Sequence, residues 1–409
     1  TSDRVSTVYA ASPDLSYILA FDTKTLRKTQ IEHPKELSLA TINAAAHGKQ
    51  VKIGAFDEQN GLFAFSIDGT QQFQSSSRTA ANKAATSIKR LIPSAETDAV
   101  NRFGDAADDP AIWINKANPA DSLIFGTDKK YGLNIYDLAG KLKQTLAVGK
   151  INNIDIRHNI MYQGKSVDIA VASNRSHQSM SVFIIRQDDG YTQHIADLPT
   201  DLSDVYGLCL YYDNAVNVLI NDTNGQFNHY RLLFNNAFLR AEKMASFEVD
   251  SQPEGCVVDD ARHELFYGEE ALGVWKRDLR QLDSAPTLIA KAEGLVQADI
   301  EGMGIYRIGS QRYLLVSSQG NNRFAVYAID ASNALVGVFD IGLNRALGID
   351  AVSETDGLEV THLALGADWP KGLLVVQDGR NVMPLEPQNF KLVSGQAVYD
   401  FIMSNHNAQ

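Results

Sequence analysis

The sequence predicts an all-β protein: a six-bladed β-propeller preceded by a short partial β module. Three observations carry this reading. First, a short apolar strand, a polar turn and an aromatic or β-branched strand recur six times. The apolar strands begin at residues 123, 167, 218, 265, 313 and 373, a spacing of 44 to 60 residues that suits four-stranded blades. Second, each unit is preceded by an acidic or amide-rich knot. These read DAADDPAIW from Asp105, NNIDIR from Asn152, DVYG from Asp204, PEG from Pro253, DIEG from Asp299 and ETDG from Glu354. Third, helix signals are few, with residues 80–85 a weak candidate.

Taken in order, residues 1–74 hold blade-like pieces around 17–21, 51–56 and 62–69, too few to close a ring. They form a partial propeller-like module. Residues 75–86, rich in Ser, Ala and Thr, read as a linker. Residues 87–409 form the propeller, closed by an outer strand near 87–93 that completes the last blade. In such a ring the first strand of each blade lines the central channel, and all six run the same way. Their N-terminal ends, where the knots lie, therefore share one mouth.

Composition narrows the function. The chain has 409 residues, 44% hydrophobic and 21% charged, with a formal net charge of −12. No basic stripe exists to release counterions, which argues against nucleic acid as a partner. No apolar run reaches the length of a membrane span. The chain does not begin with Met, which reads as processing and leaves export, to an extracellular or periplasmic location, as the expectation. Cys209 and Cys256 sit in apolar strand patterns, which predicts buried free thiols rather than a disulfide. Asn174 and Asn221 begin glycosylation-type tripeptides, a weak pattern. A closed ring has no long free sheet edge, so a monomer is expected.

Each knot taken singly is an ordinary turn signal. Their joint placement at one end of six repeats is what points to a site. Carboxylates, amide carbonyls and backbone carbonyls gathered in one mouth are ligands for a hard cation such as Ca²⁺. Divalent ions neutralise a phosphate monoester and acidify bound water. No Ser or Cys with a paired His is apparent, so attack by metal-bound water is expected rather than a covalent intermediate.

The knots, in this order, resemble the β-propeller phytases, also called alkaline phytases. The similarity continues through TDKK from Thr127, ASNRS from Ala172, Glu269-Glu270, SSQGN from Ser317 and QDG from Gln377, about three quarters of the chain. Some members carry an incomplete propeller ahead of the complete one, as residues 1–74 resemble. The resemblance implies calcium-dependent hydrolysis of phosphate monoesters of myo-inositol hexakisphosphate (phytate) and of lower inositol phosphates, with several calcium ions. By matching position it implies Glu96, Asp105, Asp108, Asp109, Asn152, Glu254, Glu270, Asp299, Glu301, Asp350 and Asp356 as metal ligands. It implies Lys129, Lys130, Arg175 and Tyr206 as substrate contacts, and Tyr206, Lys129, Arg175, Asp108 and Glu254 as the catalytic set. One departure stands out: Thr223 occupies a position where the family often has a lysine, so a second phosphate site is altered here. Two other readings compete. One is a calcium-stabilised propeller that binds polyanions or partners without catalysis. The other is a calcium-dependent lactonase, which would have no use for three cations at the mouth.

Overall fold

The computed structural model describes residues 7–10, 17–22, 27–32, 39–47, 50–57, 61–68, 70–72, 88–234, 238–330 and 332–406. The chain divides into two compact units, Thr1–Ser87 and Ile88–Gln409. The first contains a three-stranded antiparallel sheet, Thr7–Ala10, Tyr17–Asp22 and Lys28–Glu32. A four-stranded sheet follows, Leu39–His47, Gln50–Asp57, Gly61–Asp68 and Thr70–Gln72. The expected linker at 75–86 and the helix candidate at 80–85 lie outside the described residues.

The second unit is a six-bladed propeller. The innermost strands are Ala107–Trp113, Ile151–Tyr162, Val205–Tyr212, Pro253–Asp259, Ile300–Ile308 and Leu358–Thr361, for blades 1 to 6. Each touches the next, and the sixth touches the first, closing the ring. All six knots fall at or just before the start of these strands, as the repeat predicts. Three of the second strands, Leu123–Asp128, Val216–Asp222 and Leu373–Asp378, are buried along their whole length, and the other three are buried except at their first residues. That is why they read as unbroken apolar runs rather than alternating ones. Outermost strands such as Leu142–Leu146 are half-exposed and polar.

A separate apolar cluster fills each interface between blades. Trp113, Phe125 and Phe183 sit between blades 1 and 2, and Ile112, Tyr136 and Phe390 between blades 6 and 1. Full burial of such a side chain contributes roughly 1.5–3 kcal/mol. The Trp113 indole N–H also donates to Asp168 Oδ2 at 2.8 Å. Between blades 5 and 6 the cluster includes Val398, Phe401 and Ile402 of a C-terminal helix, Gly395–His406, which the sequence pattern did not reveal.

Closure differs in detail from the expectation. Lys89–Leu91 does not complete blade 6. It adds a parallel fifth strand to blade 5, alongside Ala334–Ile341, with Arg90 held by Asp340 at 2.9 Å. Blade 6 is completed by Ala95–Glu96 against Asn389–Ser394. Pro93, between the two short strands, has no N–H for a ladder, and the chain passes there from one blade to the next.

The cysteine expectation is also overturned. Cys209 and Cys256 form a disulfide with Cα atoms 5.7 Å apart, joining the inner strands of blades 3 and 4. The two apolar strands run side by side in the ring, which the linear pattern does not reveal. The asparagines of the two glycosylation tripeptides are fully buried and their amides are occupied: Asn174 Nδ2 donates to the Val148 carbonyl and Asn221 Nδ2 to that of Glu254.

The cross-link closes 47 residues of chain. Replacing both cysteines (Cys209→Ser with Cys256→Ser) is expected to lower unfolding free energy by about 3 kcal/mol, read as a shifted urea midpoint in calcium-replete buffer. An unchanged midpoint would mean that the bond does not restrain the unfolded chain.

Candidate functional site

The mouth of the ring is a cleft of about 760 Å³ whose lining includes Asp105, Lys129, Glu254, Glu270, Glu301 and Asp356. Tyr206 and Asp299 line it as well. Blades 1, 3, 4, 5 and 6 thus each place a knot residue in one space. Glycines make this approach possible. A Cβ on Gly255 would lie 2.2 Å from the Glu301 carbonyl oxygen, and one on Gly357 would lie 2.4 Å from Asp109 Cα. Gly207 and Gly302 face the same conflict with the next blade's backbone. The glycines of the acidic knots are therefore not turn residues. They let neighbouring inner strands meet backbone to backbone, and the Gly357 N–H donates to the Asp108 carbonyl across that gap at 3.1 Å.

The acids are crowded. Carboxylate oxygens of Glu254, Glu270 and Glu301 lie within 4.8 Å of one another. Glu254 and Glu301 share a hydrogen bond, and Asn152 Nδ2 donates to Glu254 Oε1 at 2.7 Å. Asp108 is buried and neither of its carboxylate oxygens has a hydrogen-bond partner; nor has Glu301 Oε2. Orphaned buried carboxylate oxygens are costly unless a cation meets them. They are hard ligands of the kind calcium takes, so this donor set fits such an ion.

Their proton affinities follow. Burial raises Asp108 well above the ordinary range; Lys129 offsets part of this, while Glu254, Asp356 and Asp109 add to it. Burial likewise lifts Asp109 and Glu301. Asp356 is pushed up to about 6, by burial first and then by Glu254 against the pull of Lys129. Glu270 is pushed up to about 7 by burial and by Glu254 and Asp299. Tyr206 is raised by burial and by Glu254 and Glu301, so its hydroxyl stays protonated, bonded to Glu270.

Lys129 is the cation inside this group. Its Nζ lies 2.7 Å from Asp105, 2.8 Å from Asp356 and 3.7 Å from Asp108. Burial opposes its charge, but these carboxylates outweigh that and raise its pKa. Arg175 stands over the Tyr206 ring at 5.1 Å and reaches Asn152 and Asp204 at 3.4 Å each. Thr223 Oγ1 donates to the other oxygen of Asp204 at 3.2 Å, so after its second strand blade 3 presents a hydroxyl rather than a cation.

Other expected residues lie apart. Lys130 is exposed, its ammonium on the Phe103 carbonyl at 2.8 Å. Asp109 accepts the Ile154 N–H at 3.0 Å and lines the channel below the mouth. Glu96 and Asp350 meet the fully buried Lys391 at 2.6 and 2.5 Å, with Asp378 at 3.1 Å. An ammonium therefore already stands among these three carboxylates. Gln319 was not singled out from sequence, yet its amide donates to Asp356 Oδ1 at 2.5 Å. Its place at the end of a second strand, equivalent to that of Lys129 in blade 1, is the signal that marks it.

Two of three comparisons with known proteins bear on the site. The profile of a protein family described as Phytase matches residues 59–408. A relative described as 3-phytase, from Bacillus subtilis (strain 168), is 37% identical over 318 residues, covering 74% of this chain and 83% of the relative. A crystal structure described as a functionally unknown protein from Desulfotomaculum acetoxidans DSM 771 aligns with a TM-score of 0.41 at 12% identity. It covers 81% of this chain and 94% of that one. That last likeness is too weak to bear on fold or function.

A pH prediction follows from the crowding. A carboxyl with a folded pKa above its unfolded value keeps its proton longer in the folded chain, so stability falls as pH rises through that interval. Glu270, at about 7, and the channel residue Glu359, lifted by burial to about 8, place part of this loss near neutrality. The buried His229, lowered to about 4, acts in the opposite sense, but only below the ordinary histidine range. In chelator, the thermal midpoint is expected to drop between about pH 6.5 and about pH 8, and calcium to abolish or reverse that drop. A chelated midpoint that climbs over this interval would contradict the charge crowding.

Proposed function

This chain belongs to the phytase family, and from that premise we propose that it hydrolyses phosphate monoesters of myo-inositol hexakisphosphate at the mouth of the propeller. The observation that carries the reading is the buried Asp108, with no hydrogen-bond partner and 3.7 Å from Lys129, which itself shares one cleft with acids from blades 4, 5 and 6. A phosphoryl dianion brought to this acidic mouth needs positive charge on every side.

Asp108, Glu254, Glu270, Asp299, Glu301 and Asp356 would hold calcium, with Asp105, Asp109 and Asn152 around them. When bound, calcium supplies charge neutralisation at the phosphoryl group and a lowered pKa for water. Lys129 donates to a phosphoryl oxygen as a point charge, positioned by Asp105 and Asp356. Arg175 donates in a fork from its seat on Tyr206, and the protonated Tyr206 hydroxyl donates beside it. Glu96 and Asp350, gathered on Lys391, support the closure of blade 6 in this reading. Both cysteines are cross-linked, which leaves no thiol nucleophile.

The same reading takes residues 87–409 as the enzyme and 1–74 as an accessory β module joined by 75–86. It places the protein outside the cytoplasm, supported by the disulfide. It takes the working unit as a monomer on soluble inositol phosphates, since one chain supplies every residue named. No helix among the described residues is long and apolar enough to cross a membrane.

Phosphate release from inositol hexakisphosphate is expected in calcium and to disappear after exhaustive chelation. Lys129→Ala is expected to lower kcat/KM roughly 100-fold. Asp108→Asn is expected to raise the calcium concentration for half-activity roughly tenfold or more. No release in saturating calcium would refute the activity and leave the non-catalytic binding reading. Full release in chelator, or an optimum below about pH 5, would refute the calcium requirement.

A further inference from the structure

The second strand of each blade ends on the rim of the mouth, so the residues just after it form a circle. Around that circle stand Lys129, Arg175, Thr223, Glu270 and Gln319 for blades 1 to 5. In blade 6 the second strand ends at Asp378, and Gly379-Arg380 follow, which puts Arg380 at the place Lys130 holds in blade 1. Arg380 lines the same cleft as Lys129 and Glu254. Blades 6, 1 and 2 are neighbours in the ring. Their cations therefore make one arc, facing an arc of acids from blades 4 and 5.

The backbone at Arg380 is hydrogen-bonded in place, while the side chain rests in an exposed ion pair. The Gly379 N–H donates to the Ser353 carbonyl at 2.7 Å, and the Arg380 N–H donates to Asp378 Oδ1 at 3.3 Å. The guanidinium pairs with Glu354, its Nε 3.0 Å from Oε2. That pair is exposed on both sides, 67% for the arginine and 49% for the glutamate. Such pairs hold weakly and yield to a better anion. A phosphate offers that, accepting two parallel N–H bonds from a guanidinium.

We propose that Arg380 is a substrate-binding and specificity residue that takes a second phosphate of a polyphosphorylated ring while another sits at Lys129. It supplies from blade 6 a charge that blade 3, with Thr223, lacks. Two-point attachment favours polyphosphorylated substrates over simple monoesters, because the second contact forms within one complex. This rests on the phytase reading above and adds to it one residue, Arg380, as a determinant of substrate preference.

Steady-state kinetics in saturating calcium test it, with inositol hexakisphosphate and phenyl phosphate as the two substrates. Arg380→Ala is expected to raise KM for the hexakisphosphate roughly tenfold. KM for phenyl phosphate, which has one phosphate, is expected to move far less. Arg380→Lys should recover part of the loss, and Glu354→Gln, which releases the guanidinium, should lower KM for the hexakisphosphate. Equal changes for both substrates, or none for either, would overturn the proposal while leaving the phytase reading intact. A wild-type protein that turns over neither substrate would overturn both.

Discussion

Like charge brought together by backbone geometry is the constraint on which this structure turns. Six inner strands run in one direction around an axis, so whatever side chains begin them must share one mouth. Here most of those side chains are carboxylates, several of them buried, with the amides of Asn152 and Asn153 in blade 2. Uncompensated, they cannot all ionise, which is why burial and mutual repulsion lift Asp108, Glu301, Asp356 and Glu270 together. The protein answers in part with Lys129, which touches three of the acids. The remaining deficit of positive charge is what a hard cation, and behind it a phosphate, would fill.

The bore that enforces this crowding is set by main chain rather than by side-chain packing. At Gly255 and Gly357 the neighbouring blade's backbone occupies the space a Cβ would need. Any larger residue would push two blades apart and widen the mouth. Acid and glycine in these knots therefore act as a pair: one supplies the charge, the other lets it come close to its neighbours. The apolar clusters between blades then hold the ring at that diameter, one at each interface.

Much of the fold was legible in the sequence. The spacing of second strands with a buried apolar run at their centre marked each blade, and the knots marked each inner strand. Features that depend on which strands become neighbours were not legible. Cys209 and Cys256 look like two unrelated buried thiols until blades 3 and 4 are placed side by side. The helix Gly395–His406 owes its place to packing on blades 5 and 6, where Phe401 meets Phe339 edge-on, and not to a strong pattern of its own. At the site, the acids that converge were visible as strand starts. Gln319 and Arg380 follow second strands, as Lys129 and Lys130 do in blade 1, and only that equivalence of position between blades separates them from ordinary turn residues. That Lys391 stands between Glu96 and Asp350 likewise emerges only from the three-dimensional arrangement.

The seam of the ring carries a kinetic consequence. Ala95–Glu96 pairs with Asn389–Ser394, so the last interface joins stretches of chain almost three hundred residues apart. Contacts of such separation form late, because the entropy of closing the loop is lost before the ladder rewards it. During synthesis five blades can assemble while the sixth waits for its final strand to leave the ribosome. Until then the strands flanking the gap present open edges, and this interval is when the chain is most exposed to pairing with another copy of itself.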